Sequence, residues 1–359
     1  MKHIGVIGGG IAGLGLSIDL AKRGFKATVF EKNRYPNHKV CGEYVSAEAS
    51  PYLNYLGVLI KMSDCPRINQ LEVSSPKGRI FKTKMKMGGI GISRYAFDDL
   101  LYKRALELKV DFVFEEVAEA NETEISTKAD KTFQFDRVIG SFGKRSNLDL
   151  KWNRAFAMKS KNSLNQWVGI KYHIDYDGID DKTIALHNFD HGYCGISKVE
   201  KGRTCLCYLV SSKVMKNKTI SELEAEVLKR NPHLKTIFEK SSSLYDKPLA
   251  ISQISFDKKT LKQSNVSFIG DAAGLITPLC GNGMSLALRS AKMMAESIRN
   301  DSFEYEVHWK KVIAPRLWWG RHIQRGFGNV RLSEVLVAIC RLFPFLGKFL
   351  VSKSHGDEF

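Results

Sequence analysis

Residues 8–13, Gly8-Gly9-Gly10-Ile11-Ala12-Gly13, constrain the fold of this 359-residue chain more than any other feature. They interrupt an apolar run, His3–Ile7, and open a segment in which Ile11, Leu14, Ile18 and Leu20 recur at helical spacing as far as Gly24. A second apolar run, Ala27–Phe30, ends in Glu31. The pattern predicts a strand–turn–helix–strand unit of about 30 residues. In such a unit Gly8 permits the tight turn, Gly10 lets the backbone approach a pyrophosphate, and Gly13 lets the helix pack close to the strand. The helix N-terminus would turn its unpartnered N–H groups, including those of Ile11 and Ala12, toward that pyrophosphate. Glu31 would accept hydrogen bonds from a ribose diol, with Lys32 beside it as a further binding candidate. Strand, glycines, helix and acid together meet the context that a dinucleotide site requires.

A second glycine-rich helix start lies far along the chain. Phe268-Ile269-Gly270-Asp271-Ala272-Ala273 follows a short buried run, and Pro278, Gly281, Asn282, Gly283 and Met284 lead into a long helix, Gly283–Ile298. Two such starts suit a ligand with two polar ends. Asp271 would hold a ribityl hydroxyl. Amides near Gly283 would face the pyrimidine edge of a flavin and stabilise its anionic reduced form. This is the physical reason to expect FAD rather than NAD.

Between these motifs, Tyr95–Leu108 reads as a helix, Val110–Val113 as a strand and Arg137–Ile139 as a strand stopping at Gly140. From Lys151 to about Ser255 short alternating runs such as Trp167–Ile174 and Thr204–Val210 alternate with Gly and Asp turns, which predicts a mostly antiparallel sheet. Ile80–Met87, with lysines at every second position, reads as a half-exposed strand of that sheet. The expectation is an α/β fold. A Rossmann-type FAD-binding domain (1–75, 90–150 and 256–300) is interleaved with a substrate-binding sheet domain (76–89 and 151–255), and a basic, amphipathic helical segment (301–359) follows.

Taken together, Gly8–Gly13 with Glu31, Gly270-Asp271-Ala272-Ala273, and Pro278 through Gly283 resemble the motifs of the para-hydroxybenzoate-hydroxylase-like FAD superfamily. That superfamily holds aromatic monooxygenases, geranylgeranyl reductases and flavin-dependent halogenases. Arg94-Tyr95-Ala96-Phe97-Asp98 is similar to its R-x-x-(F/L)-D segment, whose Arg lies beside the FAD. Lys39-Val40-Cys41-Gly42-Glu43 resembles the C-G-E stretch of the geranylgeranyl reductase branch, and Gly192-Tyr193-Cys194-Gly195 its G-Y-x-W turn with Gly in place of Trp. The resemblance implies Cys41 near the flavin ring as a catalytic candidate. Glu43 and Tyr44 are close enough in sequence to act with it. Gly140 is a cofactor-binding candidate at the end of the third strand, and His187, His191 and Tyr193, in the sheet domain, are candidates to face substrate. Two departures stand out. Phe142 occupies the place of the hydroxylases' Asp after the third strand, which removes the direct support for NAD(P)H as electron donor. The W-x-W-x-I-P motif of the tryptophan-type halogenases is absent.

Composition narrows the partners. Hydrophobic residues at 43% and charged residues at 26% exclude a disordered or fibrous chain. The net charge of +17 asks for an anionic partner. Between Lys310 and Lys353 the cations, interrupted by the single acid Glu334, alternate with Trp318, Trp319, Phe343, Phe345 and Phe349. Such apolar bulk suits an anionic membrane surface better than a nucleic acid. The seven cysteines are scattered without metal spacing, so reduced thiols, no metal and a cytoplasmic setting are expected. The opening residues lack the pattern of an export leader. The reading that follows is an FAD oxidoreductase acting on a lipophilic small molecule. A monooxygenase that hydroxylates an aromatic or polyketide-type lipid through a flavin hydroperoxide comes first. A prenyl ene-reductase and a halogenase relative are the alternatives.

Overall fold

The structure, a computed structural model, describes residues 1–359 except 161–165, 278–280, 303, 327 and 355. Pro278 and Cys280 therefore lie outside the described residues. The glycine-rich unit folds because Gly8 takes a φ of +104°, open to glycine alone without strain, and turns the chain directly into helix Ile11–Lys22. A Cβ on Gly13 would stand 2.0 Å from the Gly8 carbonyl oxygen, so the helix sits closer to the strand than any side chain allows.

Six strands form the first sheet, in the order Lys262–Gln263, Val266–Phe268, Arg137–Gly140, His3–Ile7, Lys26–Phe30 and Asp111–Val113. All neighbours are parallel except the first pair. His3–Ile7 reads as a near-continuous apolar run because both faces of the sheet are covered, by helices such as Ile11–Lys22 on one and by Phe135 and Ile125 on the other, which a Cβ on Gly5 would meet at 2.8 and 2.9 Å. The register pairs Ile7 with Phe30 on one side and with Gly140 on the other, and Gly140 with Phe268. The turns that follow these strands, at Gly8, Glu31, Ser141 and Gly270-Asp271, thus emerge along one edge of the sheet. Helix Gly283–Arg299 packs against Ile11–Lys22 through Gly15, where an added Cβ would already touch Leu288 at 3.1 Å.

The second sheet has nine strands and is antiparallel apart from one parallel pair, Arg67–Ser74 with Thr183–Phe189. Two of its strands, Tyr44–Ser46 and Arg67–Ser74, fall in the segment that the sequence reading leaves with the FAD-binding part. Strand Ile80–Gly91 also runs past the boundary expected at residue 89. Tyr44–Ser46 is too short to show a period, and Arg67–Ser74 forms a hairpin with Ile80–Gly91 while its other partner, Thr183–Phe189, is distant in sequence. A small third sheet, Val117–Ala120, Glu124–Thr127 and Thr132–Gln134, goes unforeseen because its strands are short and half polar. The chain ends in helices Tyr305–Val312, Ala314–Gly326, Val330–Leu342 and Pro344–Ser354.

One buried ion pair ties the Asp271 turn to the rest. Arg154 is 1% exposed and donates to Asp149 Oδ1 at 2.7 Å, to the Thr260 carbonyl at 2.7 Å and to the Ala272 carbonyl at 2.9 Å. Its guanidinium also lies over the Phe268 ring at 4.1 Å. Removing the carboxylate would strand a buried cation. Asp149→Ala is expected to lower stability by about 3–5 kcal/mol, read as a fall in the urea midpoint at unchanged slope.

Candidate functional site

Along the edge where the strand ends meet, one cavity opens between the two sheets. Its floor is the start of helix Ile11–Lys22 (Gly10, Ile11, Ala12), with Arg94, Asp271, Gly281, Gly283 and Met284; its roof is the antiparallel sheet, with Gly169, Ile184, Leu186, Tyr193, Leu209 and Ile254. The alternation of the strands dictates which residues look down. Gly169 pairs with Leu209, which pairs in turn with Tyr193, so all three share a face, while Ile170, Ile196 and Leu206 pack on the other face against helices Ile220–Glu226 and Pro232–Lys240.

The floor is shaped for an anion and a flat ring. Neither Gly10 nor Asn282 makes a side-chain cap hydrogen bond to the helix it opens, and neither helix has an acid in its first turn. Both N-termini therefore present N–H groups and the positive end of the helix dipole to the cavity. A Cβ on Gly10 would meet only the Arg94 guanidinium, at 3.8 Å, and one on Gly283 only Ile276, at 3.5 Å. The cradle is open where a pyrophosphate and a ring edge need close backbone approach.

Arg94 opens helix Arg94–Glu107 and is held by a bidentate pair to Asp98, both contacts at 2.7 Å. Burial alone would push the Asp98 carboxyl up. The charges of Arg94 and Lys39 outweigh it and hold the carboxyl below its usual range. Glu31 is buried and accepts N–H groups from Gly9 and Asn33, each at 3.0 Å. Tyr35, which sequence reasoning missed, donates its hydroxyl to the Gly9 carbonyl at 2.5 Å and fills the space beside Gly9. Lys32 is exposed on the turn and lines no part of the cavity. Asp271 lines the cavity, and its carbonyl accepts the buried Lys259 ammonium at 2.7 Å. Burial lowers the Lys259 amine to about 8, and the same ammonium reaches the Lys144 carbonyl at 3.1 Å.

The loop 39–43 is clamped from three sides and carries Cys41 and Gly42 into the cavity wall. Lys39 pairs with Asp98 at 3.0 Å, the Val40 carbonyl accepts Lys144 at 3.2 Å, and the Cys41 carbonyl accepts the Cys205 thiol at 3.5 Å. Glu43 is fully buried in the left-handed backbone region, φ +57°. Its carboxylate takes the Lys171 ammonium, His173 Nε2 at 2.5 Å and the Arg94 N–H at 2.8 Å. Although Glu43 lines the cavity, these three partners occupy its oxygens, so it serves as an anchor of the loop rather than as a free acid. Glu43, His173 and Cys205 also converge as a metal's ligands would, but the Lys171 ammonium already sits on the carboxylate.

Other expected residues disperse. Tyr44 lines the cavity and its hydroxyl points to Met85 Sδ at 3.8 Å. Gly140 is walled off by the Phe268 and Phe142 rings, 2.6 and 2.9 Å from an added Cβ; Ser141, Gly143 and Lys144 reach the cavity instead. Of the three substrate candidates only Tyr193 faces the cavity. His187 is buried in the sheet, bonded to Ser74 and stacked on His233, and burial lowers it to about 3. His191 stands exposed at a hairpin turn and bonds through its backbone to Gly328.

Comparison with known proteins adds the class. Residues 6–37 match the NAD(P)-binding Rossmann-like domain family. Over 316 residues the chain is 21% identical to a tryptophan 2-halogenase of Chondromyces crocatus, covering 82% of this chain and 60% of that one. It thus spans about three fifths of that relative's length. Among solved structures, the flavin-dependent brominase Bmp2 superposes with a TM-score of 0.72 at 16% identity over 98% of this chain and 90% of that one. The protein pqsL of Pseudomonas aeruginosa, described as a probable FAD-dependent monooxygenase, does so with a TM-score of 0.69 at 14% identity over 93% and 98%. The chain shares the fold of these two flavin-dependent proteins. FAD is the cofactor for which the open cradle at Gly10 and Gly283 is shaped.

The clamp has a pH signature. Burial pushes the Glu43 carboxyl up, but the hydrogen bond from His173 and the charge of Lys171 outweigh it and hold the carboxyl below its usual range. Its stabilisation is therefore complete above the unfolded value of about 4.3 and is lost as pH falls through the lower folded value. Glu43→Gln is expected to cost about 3–5 kcal/mol at neutral pH and to flatten the loss of urea stability below that range. An unchanged acid limb would remove Glu43 from the clamp.

Proposed function

We propose that the chain is an FAD-dependent oxidoreductase that halogenates an electron-rich, lipophilic small molecule at the expense of dioxygen. The observation that carries the oxidoreductase reading is the convergence of two uncapped helix N-termini and Arg94 on one cavity under an apolar roof. When bound, FAD supplies the redox chemistry, taking electrons from a donor, with NAD(P)H a candidate, and passing them to oxygen. The chain's own residues bind and orient. The N-terminus at Gly10 receives the pyrophosphate, Asp271 a hydroxyl of the chain that follows it, and the N-terminus at Gly283 the polar edge of the ring. The clamp of loop 39–43 presents Cys41 to the same space, and the roof excludes water that would quench a reactive oxidant.

The sequence alone ranks hydroxylation first. The names of the tryptophan 2-halogenase and the brominase support moving halogenation ahead of it and of prenyl reduction. The roof also speaks to the substrate. Ile184, Leu186, Leu209 and Ile254 are apolar, and among the described residues the roof offers no carboxylate or guanidinium to pair with a free amino acid. A lipophilic ring fits better. Such a substrate partitions into membranes, so this reading includes an encounter at an anionic membrane surface.

Hydroxylation stays as the second reading for one reason. An oxidised halogen must be held beside its target, and Lys144, the amine that lines the cavity among the described residues, is turned to the Val40 carbonyl at 3.2 Å. Oxygen transfer needs only the dry wall. The two separate by product. FAD-loaded protein, reduced and mixed with oxygen, bromide and an alkylphenol, is expected to replace one ring hydrogen by bromine. A product bearing oxygen from labelled dioxygen and no bromine would replace halogenation with hydroxylation.

A further inference from the structure

The last two helices present an apolar stripe that is left exposed among the described residues. Helices Val330–Leu342 and Pro344–Ser354 meet at 112°, and among the described residues no single helix is long and apolar enough to cross a membrane. Val335, Ile339 and Leu342 recur at helical spacing on one side of the first helix and are 53%, 37% and 73% exposed. Phe343, Phe345 and Phe349 continue the stripe around the bend at 51%, 64% and 50%. An exposed patch of this kind marks a docking surface.

The opposite side of the same helix explains why the stripe matters. Val337 and Cys340 are buried in one apolar cluster with Leu186, Tyr193, Leu209, Ile254 and Leu275, all of which line the cavity. One helix therefore packs behind the substrate space with one face and meets the surroundings with the other. The second helix is seated on the sheet at Gly347, where an added Cβ would stand 2.3 Å from the Phe81 ring.

The charges beside the stripe are mainly positive. Lys77, Arg79, Lys82 and Arg341 line a shallow cleft beside it, of which Lys82 is paired with Glu72, and Lys348 and Lys353 are exposed on the second helix. Glu334, the single acid between Lys311 and Lys353, already accepts the Lys77 backbone N–H at 2.6 Å and faces Arg79 at 3.9 Å. A second copy of the chain on this face would bring cations against cations. An apolar stripe bordered by cations matches a layer that is apolar within and anionic at its surface.

We infer that the stripe on helices 330–342 and 344–354, with the cleft at Lys77, Arg79 and Arg341 receiving lipid phosphates, docks the protein in the plane of an anionic membrane. The cavity then lies one helix away from the lipid that dissolves its substrate. The link to the substrate rests on the lipophilic reading above, whereas docking itself does not.

The test is co-sedimentation of the full, FAD-loaded chain with vesicles of phosphatidylglycerol and phosphatidylcholine, against phosphatidylcholine alone. Binding is expected to the anionic vesicles and to weaken with salt. At about 1 kcal/mol for each basic residue, the combined variant Lys77→Ala, Arg79→Ala, Arg341→Ala is expected to bind them roughly a hundredfold less tightly. The combined variant Leu342→Ser, Phe345→Ser, Phe349→Ser is expected to lose binding while keeping its flavin and melting temperature, because those side chains are exposed. No binding, or equal binding to neutral vesicles, overturns the inference. So does a dimer in vesicle-free solution that the serine variant abolishes, since the stripe would then be a contact between copies. Bromination and vesicle binding are read separately, so either can fail without the other.

Discussion

Parallel strand register at the centre of the first sheet is the constraint on which the site depends. Because Ile7 is level with Phe30 and Gly140, and Gly140 with Phe268, turns separated by up to some 260 residues emerge side by side. Each turn then contributes what its local chemistry allows. The first and last lead into helices whose N-termini lack side-chain caps, and these ends supply partial positive charge without a charged side chain. The middle turn brings Ser141, whose hydroxyl donates to the Gly8 carbonyl at 2.6 Å and locks the glycine turn from the neighbouring strand.

Around that edge, buried ions do the fastening. Arg154 and Lys259 both donate to backbone carbonyls of the Asp271 turn, and Glu43 gathers Lys171, His173 and the start of the Arg94 helix. Buried pairs of this kind are costly to break, since removing one partner leaves the other without compensation. They hold backbone segments that have no regular structure of their own, loop 39–43 above all. The catalytic candidates of that loop thus divide. Cys41 faces the cavity, and Glu43 holds Cys41 there.

How far the sequence revealed this depended on the range of the forces involved. The turns at Gly8–Gly13 and Gly270–Asp271 were legible because their sterics are local: only glycine tolerates the φ of +104° at Gly8 and the approach of Gly13 to a carbonyl oxygen. Arg67–Ser74 has one partner, Ile80–Gly91, that follows it at once, but the other, Thr183–Phe189, lies more than a hundred residues away and could not be paired with it from the sequence. Tyr35, Lys259 and Arg154 gave no signal, since a buried aromatic or cation looks like a surface one until its partners are known. His187 misled for the same reason in reverse. In the fold it is the ring between Ser74 and His233, not one that faces substrate.

The central claim is that the two helix N-termini together hold FAD. It is tested most directly by titrating flavin-stripped protein with FAD and with NAD, following flavin fluorescence and calorimetric heat, in the wild-type chain and in Gly13→Val. A valine at position 13 cannot coexist with the Gly8 carbonyl at 2.0 Å, so it must push the first helix off the strand. The account predicts one FAD bound per wild-type chain, FAD bound in clear preference to NAD, and loss of FAD binding in the variant. Binding of NAD in preference to FAD, or undiminished FAD binding by Gly13→Val, would contradict it.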